Sequence, residues 1–414
     1  MKDAIPSGLT VPALAPAAPR GLCTDCGVSR MKDASACGKA CQFIKPEYPS
    51  LETRVHGRTR GDDDEAFFGV HQRMYRASLK APLEGAQWTG ITTRLAQKLL
   101  EQGAVDAVLT MAPDPDDFWK PMPVIVTDPA DMAHVRGMRM GYAPLLALLE
   151  PAIAAGHTRL AVIGIPCQIY ALRALEADLG IDLHVIGTPC SDNTTTENFH
   201  GFLNRLTDAP ETVTYLEFRA DYYVELRFTD GRVELIPFLK LPISDLPRDF
   251  FPLTCRTCVD YTNSLADITV GYMGGEGEQW LIVRNARGAQ LVEMLGDELK
   301  LVAPGSKGNR ASAVKGFVEN TRRAAGGLPL RRMPDFMRGI MGWLMPKIGP
   351  KGLEFARARV EIKAAETVLH LRREEPAKMK NMVPDHVWTL AKPYGLTAES
   401  RDQIDAKSGP STKV

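Results

Sequence analysis

Cysteine is where this sequence concentrates its chemistry. The chain has eight cysteines, and they divide into two sets of four. The first set is local: Cys23-x2-Cys26, ten residues, then Cys37-x3-Cys41, in CTDCGVSRMKDASACGKAC. The second is dispersed: Cys167 in IGIPCQ, Cys190 in IGTPCSDN, and Cys255-x2-Cys258 in LTCRTCVDY. Four thiolates serve a tetrahedral zinc ion or a cubane iron–sulfur cluster equally well, and for the first set both remain open. Disulfides are the third use of cysteine. The opening MKDAIPSGLTVPALAPAAPR is broken by prolines and does not read as an export signal. A reducing compartment is therefore expected, where structural disulfides are rare.

The second set depends on the elements that carry it. Cys167 and Cys190 each follow an apolar strand pattern ending in Gly-x-Pro, VIGIPC and VIGTPC. If those strands are parallel neighbours, both thiolates leave the same carboxyl edge of a sheet, where α/β folds bind ligands. The later CxxC then completes a four-thiolate site whose ligands span 92 residues. A structural zinc organises a short local knuckle and suits that span poorly. Two complete quartets with no cysteine spare read as an electron-transfer relay, and so as an iron–sulfur redox protein.

The periodicity around these residues predicts an α/β fold with a mainly parallel sheet flanked by helices. ITTRLAQKLLEQG (91–103), PLLALLEPAIAAG (144–156) and QIYALRALEADLG (168–180) have helical spacing, between strands VDAVLTM (105–111), RLAVIGI (159–165) and DLHVIGT (182–188). Residues 215–238 alternate with period two about Asp230-Gly231, an antiparallel hairpin signal. ADITVGY (266–272) and WLIVRN (280–285) are further strands, and 288–299 and 351–374 further helices. The expected organisation is a flexible leader (1–20), an N-terminal iron–sulfur segment (21–50), a catalytic core (51–300) and a helical C-terminal extension (301–414).

Lys plus Arg and Asp plus Glu number 50 each, so no overall field recruits nucleic acid. No apolar run reaches the roughly 18 residues that span a bilayer, and a cytoplasmic protein is expected. FMRGIMGWLM (336–345) is apolar and Met-rich. It reads as buried core, with a tetrapyrrole cover or a peripheral membrane contact as the alternatives. Arg322, Arg323, Arg331 and Arg332 read as a solvated basic face, with docking of an acidic ferredoxin as the alternative. The eight histidines show no metal-type pairing. Single-electron centres need a one-to-two electron converter, commonly a flavin. GAQWTGITTRLAQKLLE (85–101) offers Gly85, Gly90, Thr89, Thr92 and Thr93 at a helix start suited to phosphate. There is no GxGxxG, and taken alone the stretch reads as an ordinary Thr-capped helix.

Together QWTGITT, VIGIPCQIYALRALE, VIGTPCSDN, CRTCVDYTNSLADITVGYMG and WLIVRNARG resemble the coenzyme-deazaflavin hydrogenase/dehydrogenase beta-subunit family. Gly271-Tyr272-Met273-Gly274, where simpler members carry Gly-Asp, matches its chlorophyll branch; GIPC and GTPC depart from that branch's usual GVGC and GTNC. The resemblance implies FAD and two 4Fe-4S clusters. It assigns Cys167, Cys190, Cys255 and Cys258 to the core cluster, and Cys23, Cys26, Cys37 and Cys41 to an added one. It makes Gly90, Thr92 and Thr93 flavin-binding. Asp192 and Asn193, directly after Cys190, lie near the presumed site, Asp192 as the candidate catalytic acid and Asn193 as a cofactor-binding candidate, with capping of the following helix as the alternative. The implied activity is ferredoxin-dependent reduction of the C8 vinyl group of divinyl chlorophyllide a or protochlorophyllide a, peripheral to photosynthetic membranes. The alternatives are 7-hydroxymethyl chlorophyll a reduction, or an electron-transfer beta subunit of a larger dehydrogenase.

Overall fold

Short runs of β-branched and apolar residues build a nine-stranded sheet. In chain order its strands are β1 (Leu9–Thr10), β2 (Arg73–Leu79), β3 (Ala107–Asp114), β4 (Asp117–Val126), β5 (Arg159–Gly164) and β6 (Asp182–Gly187). Strands β7 (Val213–Phe218), β8 (Tyr223–Phe228) and β9 (Val233–Pro237) form a separate sheet, and β10 (Ile268–Gly271), β11 (Gln279–Val283) and β12 (Leu299–Val302) complete the large one. The computed structural model describes residues 7–16, 23–44, 46–219, 221–272, 279–324 and 334–403. The large sheet runs β1-β4-β3-β5-β6-β10-β11-β2-β12. Its centre, β3-β5-β6-β10, is parallel, and antiparallel strands extend it on both sides.

Each strand of that centre feeds both faces of the sheet. Leu160 and Val162 of β5 join the core beneath helix Pro166–Leu179, while Ala161 joins the opposite core beneath helices Ile91–Glu101 and Ala286–Leu295. Such alternation is what a period-two element buried on both faces requires. Trp280 and Ile282 of β11 pack against the C-terminal helices, including Leu353–Glu374. The expected hairpin turns at Asp230-Gly231, with Gly231 at φ 84°, a left-handed conformation glycine adopts freely. Helix Thr196–Leu206 packs against the same small sheet.

The fold departs from two expectations. The leader is not wholly loose: Leu9 is buried, and Leu9–Thr10 pair antiparallel with Val126 and Ile125 of β4. FMRGIMGWLM is not core either. Helix Asp335–Ile348 leaves Phe336, Met337, Ile340 and Trp343 exposed and continues past Pro346.

Several buried imidazoles make the fold acid-sensitive. Burial and the nearby Arg284 push His56 down to about 4, and its Nε2–H donates to the Ser264 carbonyl at 2.8 Å. Burial lowers His370 and His386 as well. A depressed histidine pKa means that the unfolded chain binds the proton first. Stability is therefore complete above pH 6.5 and falls as pH drops toward 4, by about 3 kcal/mol for His56 alone. Urea unfolding at pH 7 and pH 5 should show this loss, with a shallower pH slope in H56Q. Equal slopes in the two proteins would contradict it.

Candidate functional site

Register places the first two dispersed cysteines. Gly164 of β5 lies directly opposite Gly187 of β6, and each cysteine follows its glycine by three residues. Cys167 and Cys190 thus leave adjacent parallel strands at one level. Pro166 then opens helix Pro166–Leu179 at its first position, where a missing N–H costs nothing. The Cys190 N–H instead donates to the Tyr261 carbonyl at 3.0 Å, tying it to the loop that follows Cys258. That loop presses hard on β6: a Cβ at Gly187 would stand 2.6 Å from Asn263 Cγ. Asn263 Nδ2 donates to the Gly164 and Thr188 carbonyls, at 2.8 and 3.1 Å. Buried Arg284 pins the loop from beneath, donating to the carbonyls of Phe68, Val70 and Thr262. Asp260 is buried and accepts from the Ser264 N–H.

The outcome is one cavity whose lining includes Cys167, Cys190, Cys255 and Cys258, together with Thr24, Asp192 and Asn193. Burial pushes the Cys255 thiol up to about 12 and Cys258 to about 11, and raises Cys167 and Cys190 well above the usual range. Four such thiols give up their protons only to a cationic centre that replaces the lost hydration.

The first quartet stands beside the second. Its four thiols act electrostatically on one another at Cys26, and Cys26 in turn contributes to the field at Cys167. Gly27 (φ 111°) lets the knuckle sit against the turn Leu145–Leu148, because a Cβ there would meet the Ala147 nitrogen at 2.5 Å. The Cys26 carbonyl accepts from the Leu146 N–H at 2.9 Å. Gln42, next to Cys41, reaches Cys258 with its Nε2 3.8 Å from the sulfur, and its Oε1 accepts from Tyr48. Cys23 is exposed, so the pair of quartets runs from the surface inward.

The C-terminal extension backs the cavity wall through contacts to Ser191, Asp192, Cys255 and Cys258. The helix Leu353–Glu374 buries Lys363, whose Nζ donates to Asp192 Oδ1 at 2.9 Å and to the Cys255 carbonyl at 2.8 Å. Glu366 Oε2 lies 3.5 Å from the same ammonium. Burial opposes the Lys363 charge, but Asp192 and Glu366 hold its pKa above the ordinary lysine value. On the same helix, Arg359 donates to Ser191, and Thr367 donates to the Cys258 carbonyl at 3.4 Å. A lysine in mid-helix among other charges gives no sequence signal of burial. Asp192 therefore sits at the quartet as expected, but one of its oxygens is engaged by Lys363.

Gly90, Thr92 and Thr93 lie elsewhere, at the start of helix Ile91–Glu101. Gly90 (φ 90°) is the residue before the first turn, and the Ile91 N–H is taken by Gln279 Oε1 at 3.0 Å. Thr92 and Thr93 supply the remaining N–H groups that a helix start leaves without intrahelical partners. The segment 136–142 joins this region to the quartet. Arg136 donates to the Glu84 carbonyl near the turn, and at the other end Asn193 Nδ2 donates to the Gly141 carbonyl at 2.8 Å. Arg136 and Arg139 each bury an Nε with no partner, and among the described residues no carboxylate pairs with either. Burial alone pulls Arg139 down to about 10. Trp88 and Tyr272 meet with ring centroids 5.4 Å apart and planes tilted by 46°, and Tyr272 meets Phe355 edge-on at 5.6 Å, which gives the region a cluster of aromatic rings. Met273 and Gly274 lie outside the described residues, as do Arg331 and Arg332; Arg322 and Arg323 are exposed.

These residues fit the groups that the sequence implies. The four thiols that line one cavity match the four-thiolate ligand set of a cubane cluster. The orphaned Arg136 and Arg139 nitrogens, beside a helix start, suit the phosphates of a dinucleotide.

Comparison with known proteins agrees with this architecture. Residues 74–150 match the N-terminal model, and 157–305 the C-terminal model, of the coenzyme F420 hydrogenase/dehydrogenase beta subunit. A Nostoc sp. protein of unassigned activity is 37% identical over 91% of this chain and 94% of its own. The chloroplastic 7-hydroxymethyl chlorophyll a reductase of Oryza sativa is 37% identical over 94% of this chain and 84% of its own. A chain of the F420-reducing [NiFe] hydrogenase complex from Methanosarcina barkeri shares the fold, with a TM-score of 0.51 and 22% identity over 57% of this chain and 84% of that one. Matched family models and a relative aligned along nearly the whole chain place this protein in the coenzyme F420 hydrogenase/dehydrogenase beta-subunit family of redox proteins, on its chlorophyll branch.

Proposed function

We propose that this protein reduces a peripheral substituent of a chlorophyll-type tetrapyrrole, with electrons from a ferredoxin-class donor. The observation that carries the proposal is the adjacency of two four-thiol sets, one reaching the surface at Cys23 and the other lining one buried cavity. Cys23, Cys26, Cys37 and Cys41 would hold the outer 4Fe-4S cluster, and Cys167, Cys190, Cys255 and Cys258 the inner one. Arg136, Arg139, Gly90, Thr92 and Thr93 would hold the phosphates of FAD. Bound there, the clusters supply single electrons and the flavin pairs them for transfer to an organic substrate.

The protein's own part is positioning and exclusion of water. The cluster of Trp88, Tyr272 and Phe355 offers apolar ring faces and edges for contact with a tetrapyrrole. Buried Lys363 sets a positive charge beside the inner quartet and fixes Asp192 by an ion pair. Asp192 accepts from Lys363 at the cavity wall, so the group of that pair that carries a proton to deliver is the Lys363 ammonium.

Reduction of a C7 hydroxymethyl group leads among the specific reactions, because the rice reductase carrying that name aligns over most of both chains. Two electrons and two protons then convert the hydroxymethyl carbon to methyl and release water. The C8 vinyl reduction expected from sequence is the second reading, favoured by the Ala- and Arg-rich, bacterial-looking composition. There the same two electrons and two protons give ethyl. Both reactions fit a photosynthetic setting. Incubation with reduced ferredoxin and, separately, 7-hydroxymethyl chlorophyll a, divinyl chlorophyllide a and divinyl protochlorophyllide a decides between them by pigment analysis. A 7-methyl product is expected; an ethyl product with the hydroxymethyl pigment untouched moves the assignment to C8. Oxidation of ferredoxin without pigment turnover would leave only an electron-transfer subunit.

A further inference from the structure

Helix Asp335–Ile348 is mounted with its apolar side outward. Gly342 is its one buried residue, and a Cβ there would lie 3.3 Å from Pro237 and 3.7 Å from Lys240. One turn earlier, Arg338 donates to the carbonyls of Leu239 and Leu241, at 3.2 and 2.6 Å. Gly342 and Arg338 thus face the protein. Phe336, Met337, Ile340, Trp343 and Ile348 are 70, 43, 58, 63 and 58% exposed. The chain exposes eleven large hydrophobics among its described residues, and five of them share this helix. At offsets of four and three, Phe336, Ile340 and Trp343 form one stripe. A contiguous exposed apolar stripe marks a surface of interaction.

The occupant follows from size and charge. A stable protein interface engages about 20–30 residues a side, far more than this stripe supplies. Among the described residues no helix is long and apolar enough to cross a membrane. A helix of this length, about 21 Å, can lie flat on a bilayer. Lys347 places its ammonium 3.4 Å over the Trp343 ring. A tryptophan capped by a lysine has an apolar body and a cationic tip, which suits the headgroup level of a membrane. Lys240, against which Gly342 packs, is exposed and adds a second cation. The helix's one acid, Asp335, is held by Arg338 at 3.1 Å.

We infer that helix Asp335–Ile348 docks this protein on an anionic lipid bilayer, with its apolar stripe at the headgroup–acyl boundary. The inference stands apart from the pigment chemistry, because its test reads no turnover. The full-length protein, purified with its cofactors, is sedimented with phosphatidylcholine vesicles containing phosphatidylglycerol, and with phosphatidylcholine alone. The wild type should pellet with the anionic vesicles, and I340E/W343E should lose about tenfold or more of that binding. Both substituted side chains are exposed, so the variant should keep the wild-type visible spectrum and unfolding midpoint. A milder variant, I340S, should bind between the two. Wild type that stays in the supernatant overturns the inference, as does a double variant that pellets equally well. An oligomer in solution that I340E/W343E dissociates, without vesicle binding by the wild type, would instead assign the stripe to a second copy of the chain.

Discussion

Lys363→Met is expected to lower the unfolding free energy by about 3–5 kcal/mol, the usual cost of removing one partner from a buried ion pair. The Lys363 side chain is 5% exposed, and its partners Asp192 and Glu366 are 20 and 13% exposed. Methionine fills similar volume, so the loss reflects two carboxylates and the Cys255 carbonyl left without their donor rather than a cavity. K363M/D192N should recover part of the loss, because it removes one of the stranded charges. The second readout is redox. A reduced cluster carries one more negative charge than the oxidised one, so removing the neighbouring ammonium should move the inner cluster's midpoint potential downward. Urea unfolding and potentiometric titration check the two outcomes. A stability change within about 0.5 kcal/mol, the range of ordinary surface substitutions, would mean that the long helix does not close the site as described.

Cys190→Ser should remove the inner cluster and leave the outer one. The two quartets draw their ligands from separate elements, the inner from the ends of β5 and β6 and the CxxC loop, the outer from the knuckle seated on Leu145–Leu148. Iron should fall from about eight to about four atoms per chain, one cubane's worth, and pigment reduction should cease. Cys26→Ser should show the converse iron loss. Unchanged iron in C190S would detach Cys190 from the inner set.

Much of this site was legible because it rests on short-range rules. The repeated Gly-x-Pro-Cys ending implied two thiols at one sheet edge, and the register of Gly164 with Gly187 puts them there. The Asp230-Gly231 turn and the helix within 351–374 announced themselves through glycine and through period. What stayed hidden depends on tertiary context. β4 contains Pro121 and Pro123, residues that argue against a strand inside a sheet. They are tolerated because β1 covers only Ile125 and Val126, so the prolines face an open edge. Lys363 carries no sequence signal of burial, and only the packing of its helix against the CxxC loop buries it. Arg136 and Arg139 lie in a segment without periodicity, and their missing partners become visible only in three dimensions. Helix Asp335–Ile348 departs in the other direction: its apolar composition predicts burial, and the protein turns that face outward.

The central claim is that both quartets hold iron–sulfur clusters, and metal analysis of anaerobically purified protein tests it most directly. The account predicts a brown protein with about eight iron atoms and eight acid-labile sulfides per chain, and a flavin released on denaturation. A colourless protein containing zinc and no iron would contradict it.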